Sequence, residues 1–139
     1  MASKGLHHNV KQYIAFNGAT INTDTTTNGN VIDTQFFYGV EFFFQVNARV
    51  AGTVTLNVQE SDTTTSGDFT DVAPQFLLGS EENTALSTAN SSARIGYVGQ
   101  KRYVRIQVIS TSSANLYASA LAVLSYPSHA PTDTTLTDE

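Results

Sequence analysis

The 139-residue sequence predicts an all-β fold: a single-domain antiparallel β-sandwich, jelly-roll-like, with extended N- and C-terminal arms. Three observations predict it. Apolar runs of strand length recur at short intervals, separated by clusters of Gly, Asn, Asp, Ser and Thr, which is the spacing of a sandwich or barrel. Ser and Thr make up about a quarter of the chain while Glu is scarce, a composition that suits strands and turns and disfavours helices. A hydrophobic content of 40% fills one sizeable core, so one domain is expected. It is placed at residues 12–126, with an N-terminal arm at 1–11 and a C-terminal extended tail at 127–139.

The strands are expected at Gln12–Asn17, Val31–Thr34, Tyr38–Ala48, Thr53–Glu60, Arg94–Val98, Lys101–Ser110 and Tyr117–Ser125. Asn28-Gly29 and Ala51-Gly52 supply turn chemistry, since Gly accepts positive φ without steric cost. In "GTVTLNVQE" the alternation is clean, with Val54, Leu56 and Val58 on a core face and Thr53, Thr55, Asn57 and Gln59 on the other. In "YGVEFFFQV" the core face is Val40, Phe42, Phe44 and Val46, which turns Phe43 outward between Glu41 and Gln45. Phe43 is therefore a candidate contact residue, with core or subunit packing favoured over ligand stacking.

The stretch "SDTTTSGDFTDVAPQFLLGSEENTALSTANSS" is long and polar, anchored by Phe69, Val72, Phe76, Leu77 and Leu78. It reads as a packed excursion followed by a mobile loop. "YPSHAP" carries two prolines that favour an extended departure, and "TDTTLTDE" follows as an acidic tail. The N-terminal arm carries Lys4, Lys11, His7 and His8, and His129 lies in the exit segment.

Four of the seven basic residues, Arg94, Lys101, Arg102 and Arg105, crowd into "RIGYVGQKRYVRIQV". Gly99-Gln100 fits a two-residue type II′ hairpin turn, which sets Tyr97 opposite Arg102, Gly96 opposite Tyr103 and Arg94 opposite Arg105. One face then holds Ile95, Tyr97, Val104, Ile106 and Val108, with Arg102 at its edge. The other holds Arg94, Lys101, Tyr103 and Arg105, a like-charged surface that needs carboxylates. These come from Glu60, Asp62, Asp68 and Asp71 of the same chain or from another subunit, so an internal network and a docking face both remain open.

The formal net charge of −5 argues against general affinity for nucleic acid or anionic membrane. No apolar run approaches the roughly 18 residues of a membrane span, and the start of the chain lacks a signal-peptide core, so a soluble protein made in the cytoplasm is expected. There is no cysteine, and the histidines sit in the presumed arms, away from any scaffold that would hold a base beside a nucleophile. No phosphate loop, nucleophile elbow or HExxH occurs. "QESDTTTSGDFTD" is acidic but lacks the ligand spacing of an EF-hand, and "NSS" at Asn90 matters only in a secreted eukaryotic protein. No catalytic, cofactor or metal site is expected, and the chain does not read as an enzyme.

"VTLNVQESDTTTSGDFTDV", "ARIGYVGQKRYVRIQVIS" and "SYPSHAP" together resemble a family of small tailed-phage virion proteins encoded beside the head genes. The shared features are a Gln-Glu-Ser-Asp turn, Phe-Thr-Asp-Val, Gly-Tyr-x-Gly-x-Lys-Arg-Tyr and a Pro-x-His-Ala-Pro exit. "TTTSG" after Asp62 departs from the family's tighter loop with a second Asp. The resemblance implies a β-sandwich that decorates or cements the capsid, made in the bacterial host cytoplasm and carried on the virion surface. Its implied partner is the major capsid protein, with further copies of itself in a homo-oligomer, a trimer favoured, and with no nucleic acid or membrane contact. Arg94, Lys101, Tyr103, Arg105, Phe43, Lys4, Lys11 and His129 are the expected contact residues. The rival reading is a virion binding module, either a head-fibre base or a sugar-binding or adaptor part of the tail, in which Phe43, Tyr38 and Tyr103 stack on sugar rings.

Overall fold

The computed structural model describes residues 6–127. Lys4, His129 and the acidic C-terminal segment lie outside them. Within them one short helix, α1 (Leu6–Asn9), precedes eight strands: β1 (Val10–Ile21), β2 (Thr26–Asn28), β3 (Ile32–Asp33), β4 (Phe37–Ser61), β5 (Thr70–Asp71), β6 (Leu77–Leu78), β7 (Ser91–Tyr97) and β8 (Tyr103–Pro127). All pairings are antiparallel. The all-β expectation holds.

The spine is one long ribbon. β4 and β8 are 25 residues each and pair from Phe37↔Pro127 to Ser61↔Tyr103, each absorbing two of the strands expected from the sequence. The ribbon bends midway, where register shifts cluster between Val46 and Thr53. Gly52 there has φ +90°, and an added Cβ would stand 2.4 Å from the Ala114 Cα. Ser112 and Ser113 take positive φ on the other strand. The Asp24 carboxylate accepts from the backbone N–H groups of Ser113 and Ala114, holding that bend and lowering its own pKa.

The bend folds the ribbon into the two layers of a sandwich. In the first, residues 40–46 of β4 and 116–125 of β8 lie between β7 and β1; in the second, residues 53–61 and 103–111 lie between β5 and the short β2 and β3. Alternate residues point inward and meet in one core: Val40, Phe42, Phe44 and Val46 with Ala118, Ala120 and Ala122 from one layer, Val54, Leu56 and Val58 with Val104, Ile106 and Val108 from the other. Phe42 pairs with Ala122 and Phe44 with Ala120, so each ring lies beside a small neighbour that leaves it room in the core. One edge is closed by Gly29, whose N–H donates to Ile106 in the second layer, and by Asn30, whose N–H donates to Ala15 in the first.

The polar excursion protects the other edge of β4. The Leu56 N–H donates to the Thr84 hydroxyl and the Val58 N–H to the Glu81 carboxylate, while Leu86 exchanges backbone bonds with Val54. Side chains thus substitute for a missing strand. Phe69, Val72 and Leu77 are buried beneath it as anchors, whereas Phe76 and Leu78 are exposed.

Two expectations are corrected. Gly99-Gln100 makes no hairpin: β7 pairs with β4, Tyr97 facing Val40 and Ile95 facing Phe42, while β8 begins opposite the far end of β4. Residues 98–102 are a crossover between the layers, because burying Ile95 and Tyr97 against β4 outweighs a local turn preference. Gly99 lies on the Tyr97 ring, where a Cβ would meet the phenol oxygen at 2.4 Å. The second correction concerns the N-terminal arm: β1 starts at Val10, so Lys11 stands in a strand opposite Leu124.

Candidate functional site

The basic crossover is assembled from three separate parts of the chain. The Tyr97 hydroxyl donates to Glu60 Oε1 at 2.7 Å and accepts from the Lys101 N–H at 3.0 Å. Burial, then the Glu60 carboxylate, holds this phenol well above its ordinary pKa. Lys101 Nζ lies 2.7 Å from Asp62, and Arg102 grips both oxygens of Asp33 at 2.8–2.9 Å. The Arg102 bonds hold the Asp33 carboxyl below the usual range. Arg102 also lies over the Tyr103 ring, 5.1 Å from its centre.

Arg105 is 6% exposed. It hydrogen-bonds Gln59 twice at 2.9–3.0 Å and the Ser66 hydroxyl at 2.9 Å, and its guanidinium stands 4.3 Å over the Phe69 ring. Its partners are neutral acceptors and a π face rather than a carboxylate. Gln59 in turn donates to Asp71, as does Asn57, and both lower the Asp71 pKa. "TTTSG", the stretch that departs from the family pattern, is the loop that supplies Ser66.

The expected contact residues therefore separate. The like-charged pair Arg94 and Arg105 does not exist: Arg94 faces Phe43 in the first layer, and Arg105 faces Gln59 in the second. Tyr103 faces Asp33 and Ser61 rather than Gly96. Lys101 and Arg105 are engaged within the chain, Lys11 approaches the Tyr13 ring at 6.0 Å, and Lys4 and His129 lie outside the described residues. Arg94 and Phe43 remain on the outer face, Phe43 with 42% of its surface exposed.

A second surface was only partly legible. At the end where the ribbon's two strands meet, Phe36, Tyr38 and Tyr126 are 59%, 77% and 74% exposed. Phe36 has φ 76° and Tyr126 φ 54°, left-handed values that cost energy in bulky residues and turn both rings away from the core. Tyr38 had its signal as an exposed aromatic. The signal for Phe36 was the run Phe36-Phe37-Tyr38 after a turn; Tyr126 had none, since a residue before proline is expected to be extended rather than left-handed. Beside these rings, Thr34, Gln35, Gly99 and Gln100 line an open hollow with Lys101 and Arg102 at its rim.

Among the described residues no cluster of three or more His, Asp or Glu side chains is placed to hold a metal ion, and no helix is long and apolar enough to cross a membrane. No family model and no curated protein matches the chain. Similar solved structures include a Bacillus endospore appendage pilus chain (15% identity, TM-score 0.47, covering 86% of this chain and 89% of that one). They also include a chain of infectious bursal disease virus, Gx strain (13%, 0.44, 88% and 34%), and the SPBc2 prophage-derived protein YomS (8%, 0.42, 84% and 93%). Likeness at this level is loose.

Proposed function

We propose that this chain is a capsid decoration protein of a tailed phage, made in the bacterial cytoplasm, that sits on the head surface and stabilises the shell by bridging major capsid protein subunits. The observation that supports it is the meeting in space of two of the three strings that carry the family resemblance. Gln59–Asp62, Phe69–Val72 and Gly96–Arg105 interlock through Tyr97–Glu60, Lys101–Asp62, Arg105–Gln59 and the Arg105–Phe69 contact. These two strings thus form one buttress that ties the two layers together, the kind of core a shell cement needs when it bears load at many identical sites. Chemistry of its own has no part in this role.

Phe36, Tyr38 and Tyr126 are the docking residues of this reading. All three are large and exposed, and Phe36 and Tyr126 also carry backbone strain, which suits them to burial against a partner, where aromatic anchors dominate affinity. Heads assembled without the protein should rupture at lower temperature or pressure than complete heads. Chain carrying Tyr38→Ala with Tyr126→Ala should melt as wild type does and load onto heads about tenfold more weakly. Electron cryomicroscopy of virions separates the alternatives: regular copies over the head lattice support decoration, and density confined to the tail or one vertex overturns it.

A further inference from the structure

The first layer's outer face carries an apolar strip with an unusual charge arrangement. Cross-strand neighbours share a face of a sheet, so the outward row through Phe43 runs Ile14, Leu121, Phe43, Arg94, and the adjoining row runs Val123, Glu41, Gly96, Leu78. Ile14, Phe43 and Leu78 are exposed, while Leu121 and Val123 are half-buried. Gly96 presents no side chain, and the Glu41 carboxylate leans into that space, 2.6 Å from where a Cβ would stand.

Glu41 and Arg94 flank Phe43 with opposite charges. They attract each other across the hollow they line with Leu78 and Gly79, yet neither side chain has a hydrogen-bond or ion-pair partner among the described residues. Arg49, Arg102 and Arg105 each hold at least one hydrogen bond within the chain. A half-buried carboxylate without a donor is costly to keep, and an ion pair satisfies it.

We propose that this face pairs with the same face of a second copy of the chain. The patch holds both an anion and a cation on one apolar surface, which makes it complementary to itself. A two-fold axis lying in the contact plane and bisecting the line from Glu41 to Arg94 sets Glu41 over the partner's Arg94 and Arg94 over the partner's Glu41. Phe43, Leu121 and Leu78 are then removed from water. Such an isologous contact needs no second protein with matching charges at a matching spacing, and it closes at two copies. It does not depend on the capsid reading and replaces the threefold assembly implied by the resemblance.

Sedimentation velocity of the full chain across a concentration series tests this, with thermal melting of every variant as the control for folding. The wild type should form a concentration-dependent dimer. Glu41→Arg alone and Arg94→Glu alone should each weaken it about tenfold or more, because each sets like charges face to face. The double variant should return to within a few-fold of wild type. A wild type that stays monomeric, a trimer as the smallest associated species, a dimer indifferent to folded single variants, or a folded double variant as weak as the singles would each overturn the proposal.

Discussion

Tyr97 and Glu60 are 37 positions apart and meet at 2.7 Å, the phenol donating to the carboxylate while it accepts from the Lys101 N–H. The bond joins the end of β7 in the first layer to the end of β4 in the second and fixes the crossover between them. Tyr97→Phe keeps the ring in the core but leaves a carboxylate oxygen and a backbone N–H without their partner. A loss of about 1–2 kcal/mol is expected, measured by urea denaturation. Equal stability would mean that water serves both groups.

Arg105 lies inside this network. Arg105→Glu sets a carboxylate among the acceptor oxygens of Gln59 and Ser66 and removes the cation from the Phe69 ring. The fold should lose about 3 kcal/mol or more, with a visibly lower melting temperature. Arg105→Lys keeps the charge but loses the planar fork, and about 1–2 kcal/mol should go with it. A melting curve for Arg105→Glu that overlays the wild type would return the side chain to the surface.

The bend of the ribbon rests on Gly52. At φ +90°, with Ala114 Cα and the Thr111 carbonyl oxygen inside contact distance of any Cβ, Gly52→Ala strains backbone on both strands. The expected cost is about 2 kcal/mol or more in chemical denaturation. Asp24→Ala should lower the midpoint in the same direction, because it strips the acceptors from Ser113 and Ala114.

Stability should pass through a shallow maximum on acidification. Glu41 and Glu81 have pKa values raised above 4.5, chiefly by burial, so both disfavour the fold when ionised, and stability rises as they protonate. Asp33 and Asp71 have pKa values lowered below 3.8, by Arg102 and by Asn57 with Gln59 respectively. Their contribution is full above 3.8 and is lost as pH falls through the depressed values. Asp33→Asn should flatten the acid limb, and Glu41→Gln should reduce the early rise to the part that Glu81 contributes. Because the Asp33–Arg102 pair is about half exposed, the Asp33 effect stays below ~1 kcal/mol. Urea midpoints between pH 7 and pH 2.5 check both.

Whatever depends on near neighbours was legible in the chain. The alternation of Val54, Leu56 and Val58, the outward Phe43 between Phe42 and Phe44, and the positive φ at Gly52 follow from a side-chain period of two and from glycine's freedom, and stand in the structure, although Gly52 bends one continuous strand where a turn between two was expected. The inward set Ile95, Tyr97, Val104, Ile106 and Val108 was legible for the same reason. Which strand each segment pairs with was not. Gly99-Gln100 carries a hairpin signal, yet β7 finds its hydrogen bonds on β4, so Arg94 and Arg105 part and the basic residues meet Asp33, Asp62 and Gln59 instead. Tertiary structure alone decided this. Pairing energy comes from burying whole faces against distant segments, and a two-residue turn preference is too small to compete with the burial of Ile95 and Tyr97.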